Sequence, residues 1–359
     1  MTQDLKRDRP ARAAPRRLAG VLAALFVAAG TAGGGAAQDF TFTLHHFLGP
    51  QAPAHTQMLV PWAERVAEAS GGRVAIEVFP AMTLGGRPPE LVTQARDGVV
   101  DLVWTVNGYT PGLFPRSEVM ELPNVFENDA RAANLAMFDM FDEHLAEEYR
   151  GLQVMFLHTH GGQALHLRDR PVHKPGDMAG MSLRTPSRTG AWSIEALGAA
   201  PVAMPVPELP VALQRGTVDG ALIPFEIIPP LQLQDQTAYQ AEGADGYRIG
   251  TAVFQVSMNL ERWNSLPEEI QAAFRAASDR SWWAEVGEIW NGTEDGGLAV
   301  ATGAGNTHVV WSEAETAAFR AALEPVVERW VAEMTADGID GAALVARARE
   351  LVARYSGTE

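Results

Sequence analysis

Apolar and polar positions alternate along Phe40-Thr41-Phe42-Thr43-Leu44, the period of a half-buried strand. From His55 to Ser70 the period changes. Met58, Leu59, Trp62, Val66 and Ala69 fall at helical spacing, and Gly71-Gly72 supplies a C-terminal stop. Pro61 lies inside this stretch, so the helix starts or kinks there. Val74, Ile76 and Val78 alternate as a second strand, a helix follows from Pro89 to Arg96 ahead of Gly98, and Leu102 to Val106 reads as a buried strand. The order βαβαβ favours parallel pairing with right-handed crossovers.

The same rhythm returns later in the chain. Met181 to Thr185 reads as a strand, Thr189 to Leu197 as a helix, Pro201 to Met204 as a strand, Glu208 to Gln214 as a helix and Val218 to Ile223 as a strand. Residues repeat as well as pattern. Gln94-Ala95-Arg96-Asp97-Gly98-Val99-Val100-Asp101 is echoed by Leu213-Gln214-Arg215-Gly216-Thr217-Val218-Asp219, each just before an apolar strand. Two duplicated lobes explain this. Towards the C-terminus the chain turns helical: Ser265-Leu266-Pro267-Glu268 reads as a capping box for one long helix carrying Phe274, Trp282, Trp283 and Trp290. Ser312 and Glu315 repeat the device before Phe319, Leu323, Val327 and Trp330. The tryptophan stripe reads as core, in a helix long enough to bridge both lobes. Phe254 to Asn259 alternates ahead of it and is expected to be a hinge strand.

The N-terminus sets the expected compartment. Lys6, Arg7, Arg9, Arg12, Arg16 and Arg17 precede a short apolar run from Leu18 to Gly30, and small residues continue to Gly35-Ala36-Ala37. This is the plan of a secretory leader over residues 1–37, cut before Gln38, so a periplasmic location without membrane insertion of the mature chain is expected. Six basic and two acidic residues (Asp4, Asp8) give the leader a net +4, so the formal −16 of the whole chain becomes −20 after removal. Such a surface argues against nucleic-acid and anionic-lipid partners, and an anionic ligand needs a local positive site. With no cysteine, disulfides, thiol catalysis and thiolate metal sites are excluded.

In open α/β sheets, ligands sit beyond the carboxyl ends of the strands. Arg184 occupies such an end, followed by hydroxyls and a helix start, where a guanidinium fork matches a carboxylate. The same rule selects His46 and Phe47 after the first strand, Trp104, Asn107 and Tyr109 on and after the third, and Phe225 and Glu226 after the last strand of the second half. Trp104, Tyr109 and Phe225 beside one arginine suggest a small acid with a flat or apolar body, and His46 or Asn107 is placed for a hydroxyl or a second carboxylate. Trp104 and Phe225 have an equal claim as packing between lobes.

Six segments, in order, resemble the solute-binding subunit of TRAP (tripartite ATP-independent periplasmic) transporters, in its C4-dicarboxylate-receptor-like branch. They are Ala69 to Arg73, Phe79 to Gly86, Asp97 to Asp101, Gly180 to Arg184, Leu197 to Val202 and Ala212 to Gly220. The resemblance implies an α/β, two-lobed periplasmic binding protein, each lobe a mixed, mostly parallel sheet flanked by helices, with a long lobe-bridging helix. Its lobes are expected at 38–161 plus 249–289 and at 162–248 plus 290–359. It implies that Arg184 binds the ligand carboxylate, that the lobes close on the ligand, and that small and large membrane subunits receive it. Sialic-acid binders of the family carry a second pocket arginine near Gly161-Gly162-Gln163-Ala164, where Gln163 is the candidate here, and an asparagine near Ile223. No second anion clamp is therefore expected. The Gly-Ala-Glu-Trp of metal-assisted relatives is replaced by Gly220-Ala221-Leu222-Ile223, so no metal or cofactor is implied.

His158 and His160 share one strand face, with His166 nearby, but lack a carboxylate at a zinc-site spacing. Nucleophile-elbow, phosphate-loop and dinucleotide motifs are missing. A binding protein for a small organic acid, not an enzyme, is expected. A sensory binding protein that presents its ligand to a receptor, or a hydrolase of unusual constellation, are the other classes. Among ligands, an aromatic monocarboxylate is favoured over a hydroxy acid or a C4-dicarboxylate.

Overall fold

The computed structural model describes residues 39–357; the leader expected over residues 1–37 lies outside the described residues. The elements follow in order: β1 (Phe40–His46), α1 (Val60–Ala69), β2 (Val74–Phe79), α2 (Leu91–Arg96), β3 (Leu102–Val106), α3 (Ala130–Met140), β4 (Leu152–Thr159), β5 (Ala164–Leu167), β6 (Ser182–Thr185), α4 (Arg188–Ala196) and β7 (Ala200–Ala203). Then come α5 (Leu209–Gln214), β8 (Gly220–Ile223), α6 (Ile228–Leu231), β9 (Tyr239–Glu242), β10 (Val253–Asn259), α7 (Leu260–Asn264), α8 (Glu268–Ala277), α9 (Arg280–Gly303), β11 (Thr307–Val310), α10 (Glu313–Ala336) and α11 (Gly341–Ser356). Both βαβαβ blocks form as the apolar periods dictate. Pro61 sits in the first turn of α1, directly after a π-helical turn over Ala54–Leu59 whose closing bond runs from Val60 N to His55 O, so the helix runs on through it with widened bonding just before the proline.

Two sheets result, ordered β2-β1-β3-β10-β4 and β11-β9-β5-β8-β6-β7. In the first, β1 pairs in parallel with β2 and β3 while β10 runs antiparallel between β3 and β4. In the second, β6 pairs in parallel with β7 and β8 while β5 runs antiparallel between β8 and β9. The orders β2-β1-β3-β10-β4 and β7-β6-β8-β5-β9 superpose element by element, which is the duplication legible in the sequence. The echoed aspartates also do one job. Asp101 accepts from Thr43 N in β1 at 2.8 Å, and Asp219 from Ser182 N in β6 at 2.7 Å, so each ties the entry of a third strand to the first strand of its block.

The antiparallel strand of each sheet is the one the chain enters on crossing from the other. Crossings occur at 160–163 and 243–252, and they bond to each other: Gln163 N donates to Gly250 O at 2.9 Å and Ile249 N to Gln163 O at 2.8 Å. Strand β10, expected as a hinge, lies fully buried inside its sheet with partners on both edges, so the turn between sheets falls at 243–252 instead.

Helix α9 touches both halves through glycine. A Cβ on Gly287 would stand 2.3 Å from the Arg131 Cα of α3, and one on Gly297 would stand 2.0 Å from Phe225 O beyond β8. The bridging helix is shorter than expected. Ser265 closes α7, donating to Arg262 O at 2.7 Å, so it caps nothing downstream, and α8 starts after Pro267 without a side-chain cap. The apolar run then breaks at Ser278-Asp279, because Ser278 Oγ is taken by Trp62 Nε1 at 3.0 Å and Asp279 starts α9 by accepting from Trp282 N at 3.1 Å. The Ser312–Glu315 box caps α10 as read. Helix α11 packs on α3 and α10.

Candidate functional site

Strand ends from both sheets and the crossing segments converge on a cavity of about 420 Å³, its mouth included. Phe47 follows β1, Trp104 and Tyr109 come from β3 and its exit, Arg184 from β6, and Glu226 from beyond β8. Gln163 enters from the first crossing. Six of the nine residues selected from the sequence therefore line one cavity.

Arg184 is 2% exposed. Its Nε donates to Met204 O at 2.9 Å, which fixes the fork, while Nη2 has no hydrogen-bond partner. No carboxylate among the described residues forms an ion pair with it. Burial therefore works against its charged form, partly offset by the neighbouring Tyr109 phenol and the more distant Glu208. A buried, uncompensated guanidinium is costly, and an incoming carboxylate offsets that cost. Arg248, the other deeply buried arginine of this region, is a useful contrast. It donates to Glu242 at 2.8 Å and to Glu294 at 2.6 Å and lies over the Phe225 ring at 4.3 Å, so its charge is already neutralised.

One wall is a pile of nearly parallel rings. Phe47 stacks on Trp104 (4.8 Å, 8°), Trp104 on Phe254 (5.2 Å, 6°), Phe254 on His158 (4.7 Å, 8°) and His158 on Trp290 (5.2 Å, 10°). Trp104 Nε1 donates to His158 Nε2 at 2.8 Å, so the proton of this ring sits on Nδ1 and reaches Thr159 O at 3.1 Å. Burial lowers the His158 pKa to about 3, and the ring is neutral. Both nitrogens are spent, and His166 Nε2 bonds Ile223 O at 3.1 Å. These histidines orient aromatic packing.

The lining also carries polar groups. His160 Nδ1 accepts from Gly162 N at 3.0 Å, which leaves the proton on Nε2. Gln163 Nε2 donates to Thr251 O at 2.9 Å, while its Oε1 is buried without a partner. Glu226 Oε2 and Trp290 Nε1 are likewise unpartnered. Burial, with the neighbouring Glu294 next, pushes the Glu226 carboxyl well above the usual carboxylate range, which favours its neutral form. Glu294 holds this loop by accepting from Phe225 N and Glu226 N, both at 3.2 Å.

Three expected residues are absent from the lining. His46 Nε2 bonds His55 Nδ1 at 3.0 Å, and Asn107 is satisfied by Tyr149 and Gln255 at 2.8 and 2.7 Å. Phe225 turns away to pack under Arg248 and edge-on to His166. The Asn107 amide, the Phe225 ring and the Nε2 of His46 are committed to holding loops, the ordinary use of strand-end residues. His160 was weighed only as a metal ligand, although the strand-end rule applied to β4 would have selected it. Trp290 lay in a stripe read as core, and nothing in its spacing marks it as lining.

The description "bacterial extracellular solute-binding protein, family 7" (DctP) matches residues 44–334. A TRAP solute-binding protein from a marine metagenome, specific for aromatic acid ligands and complexed with metahydroxyphenylacetate, superposes with a TM-score of 0.85 at 34% identity, covering 88% of this chain and 99% of that one. A TRAP solute-binding protein from Rhodoferax ferrireducens with copurified benzoate gives the same score and identity over 89% and 99%. The uncharacterized protein y4mM of Sinorhizobium fredii is 32% identical over 230 residues, 63% of this chain but only 39% of its own length. No described helix is long and apolar enough to cross a membrane. With its paired sheets, crossing strands and bridging helix, the chain belongs to the family 7 extracellular solute-binding proteins, the binding subunits of TRAP transporters.

Proposed function

We propose that the protein captures a flat aromatic monocarboxylate in the periplasm, closes on it, and hands it unchanged to the small and large membrane subunits of a TRAP transporter. Arg184 takes the carboxylate through its unpartnered Nη2, and the ring lies along the Phe47–Trp104–Phe254 wall. The observation that carries this reading is the buried guanidinium without an acidic partner at one end of an aromatic slot. The two aromatic-acid binders of similar structure support it. Export requires cleavage of the leader near Ala37-Gln38.

The lobes divide close to 38–161 plus 249–289 and 162–248 plus 290–359, with α11 lying back on α3 of the first group. Contacts across that division describe a closed cleft. Tyr109 accepts from Val206 N at 2.9 Å, and a Cβ on Gly108 would stand 2.5 Å from Ser187 Cβ. Arg188 forks onto Glu118 at 2.7 and 2.6 Å. Closing expels water from the ion pair, which strengthens it. The entering acid restores charge balance to Arg184, which favours the closed form over the open one.

Calorimetry of the purified protein, stripped of bound acids, against benzoate, phenylacetate, succinate and lactate tests the proposal. Micromolar or tighter binding of an aromatic acid, with recovery of unaltered ligand, is expected. Preference for succinate or lactate, or conversion of the ligand, refutes it.

A further inference from the structure

We propose that His160, Gln163 and Glu226 form a hydroxyl-binding subsite in the cavity that Arg184 lines, so that the ligand is an aromatic monocarboxylate carrying a ring or side-chain hydroxyl. This deepens the aromatic-acid reading and rests on it. The three side chains are 3%, 1% and 5% exposed and all line the cavity. They come from two separate segments, His160 and Gln163 from the crossing between β4 and β5 and Glu226 from the loop beyond β8, so no single turn or cap accounts for the meeting of all three.

Their unused valences are complementary. Gln163 is held by its amide N–H on Thr251 O, which leaves Oε1 as an unpaired acceptor. His160 gives its Nδ1 lone pair to Gly162 N–H, which leaves Nε2–H as a donor. Glu226 has one oxygen buried with no partner, and in the neutral form that its burial favours the carboxyl both donates and accepts. A ligand hydroxyl can donate to the first and accept from either of the others. A second carboxylate would meet the lone pairs of Gln163 Oε1 and the negative Glu294 behind Glu226. An unsubstituted ring would leave buried polar atoms unpaired, the condition under which a site rejects the analogue lacking a hydroxyl.

The sheet sets the spacing. Strand β8 lies between β5 and β6, with Ala164 opposite Ile223 and Arg184 opposite Ala221. Gln163 and Arg184 therefore approach from strands two spacings apart, roughly 10 Å.

The test is calorimetry of the purified protein with benzoate and with 2-, 3- and 4-hydroxybenzoate. At least one hydroxy isomer is expected to bind about tenfold or more tighter than benzoate, the value of a hydroxyl gaining well-placed bonds. In Glu226→Leu that preference is expected to shrink to about threefold or less, and in Glu226→Gln, which retains a donor and an acceptor, to survive in part. Benzoate binding that no hydroxyl improves overturns the subsite while leaving the aromatic-acid reading intact. Binding of none of these acids overturns both. Should Glu226→Leu fail to fold, the comparison of isomers on the unaltered protein still decides.

Discussion

Replacing Arg184 by alanine should remove most of the affinity for any carboxylate ligand. The side chain is 2% exposed, its Nε is anchored on Met204 O at 2.9 Å, and its Nη2 is unpartnered. In the complex, alanine would leave the ligand's carboxylate in a closed apolar slot with no cation, and breaking a buried pair by removing one partner costs about 3–5 kcal/mol. That is a loss of roughly two to three and a half powers of ten in Kd. Lysine should fall between. It returns a charge but neither the fork nor the Nε anchor, so a loss of about tenfold or somewhat more is expected. Isothermal titration with benzoate, alongside melting curves in the absence of ligand, separates binding from folding. Since the unliganded protein gains nothing from an unpaired buried charge, the alanine variant should melt close to the unaltered protein. Arg184→Ala binding benzoate within about threefold of the unaltered protein, while folded, would refute the reasoning.

Tyr109→Phe removes the acceptor that Val206 N uses across the cleft, and a lost bond of about 0.5–1.5 kcal/mol should appear mainly as faster ligand release in stopped-flow tryptophan fluorescence. Glu121 is buried between Val253 N (3.0 Å) and Thr189 Oγ1 (2.7 Å), and burial, with Glu118 next, raises its pKa from 4.5 to about 7. A folded pKa above the unfolded one contributes stability that is full below pH 4.5 and lost as pH rises through about 7, so Glu121→Gln, whose oxygen accepts from Val253 N while its amide N–H donates to Thr189 Oγ1, should gain on the unaltered protein by about 3 kcal/mol between pH 5 and 8 in denaturant titrations. On α9, Gly297→Ala would drive a methyl into Phe225 O at 2.0 Å and shift the loop carrying Glu226, lowering both melting temperature and affinity, whereas Gly296→Ala meets nothing within 4 Å and should stabilise the helix by about 0.5–1 kcal/mol.

Much of this molecule is written locally. Phe40 to Leu44 and Val74 to Val78 could be placed as strands because their alternation matches the pleat, and the doubled Asp101 and Asp219 revealed the duplication because each fills the same post beside Thr43 or Ser182. Ser265 misled because a capping box is a short pattern. The helix it was thought to start is decided by Trp62 taking Ser278 from another part of the chain. Phe225 misled for a similar reason: an aromatic after a strand is equally suited to a ligand or to a cation, and Arg248 stands over it.

The sequence by itself determined the periods, the repeat and the presence of an arginine at a strand's carboxyl end, since each depends on neighbours a few residues away. Only the tertiary structure decided that Arg184 is left without an acid while Arg248 has two. It alone gathered rings from β3, β4, β10 and α9 into one wall and turned His160, Gln163 and Glu226 towards the same space. Whether a buried charge or dipole is satisfied depends on groups brought in from other elements, as Glu294 is to Arg248 across 46 residues and His158 to Trp104 across 54, and no local pattern records such pairings.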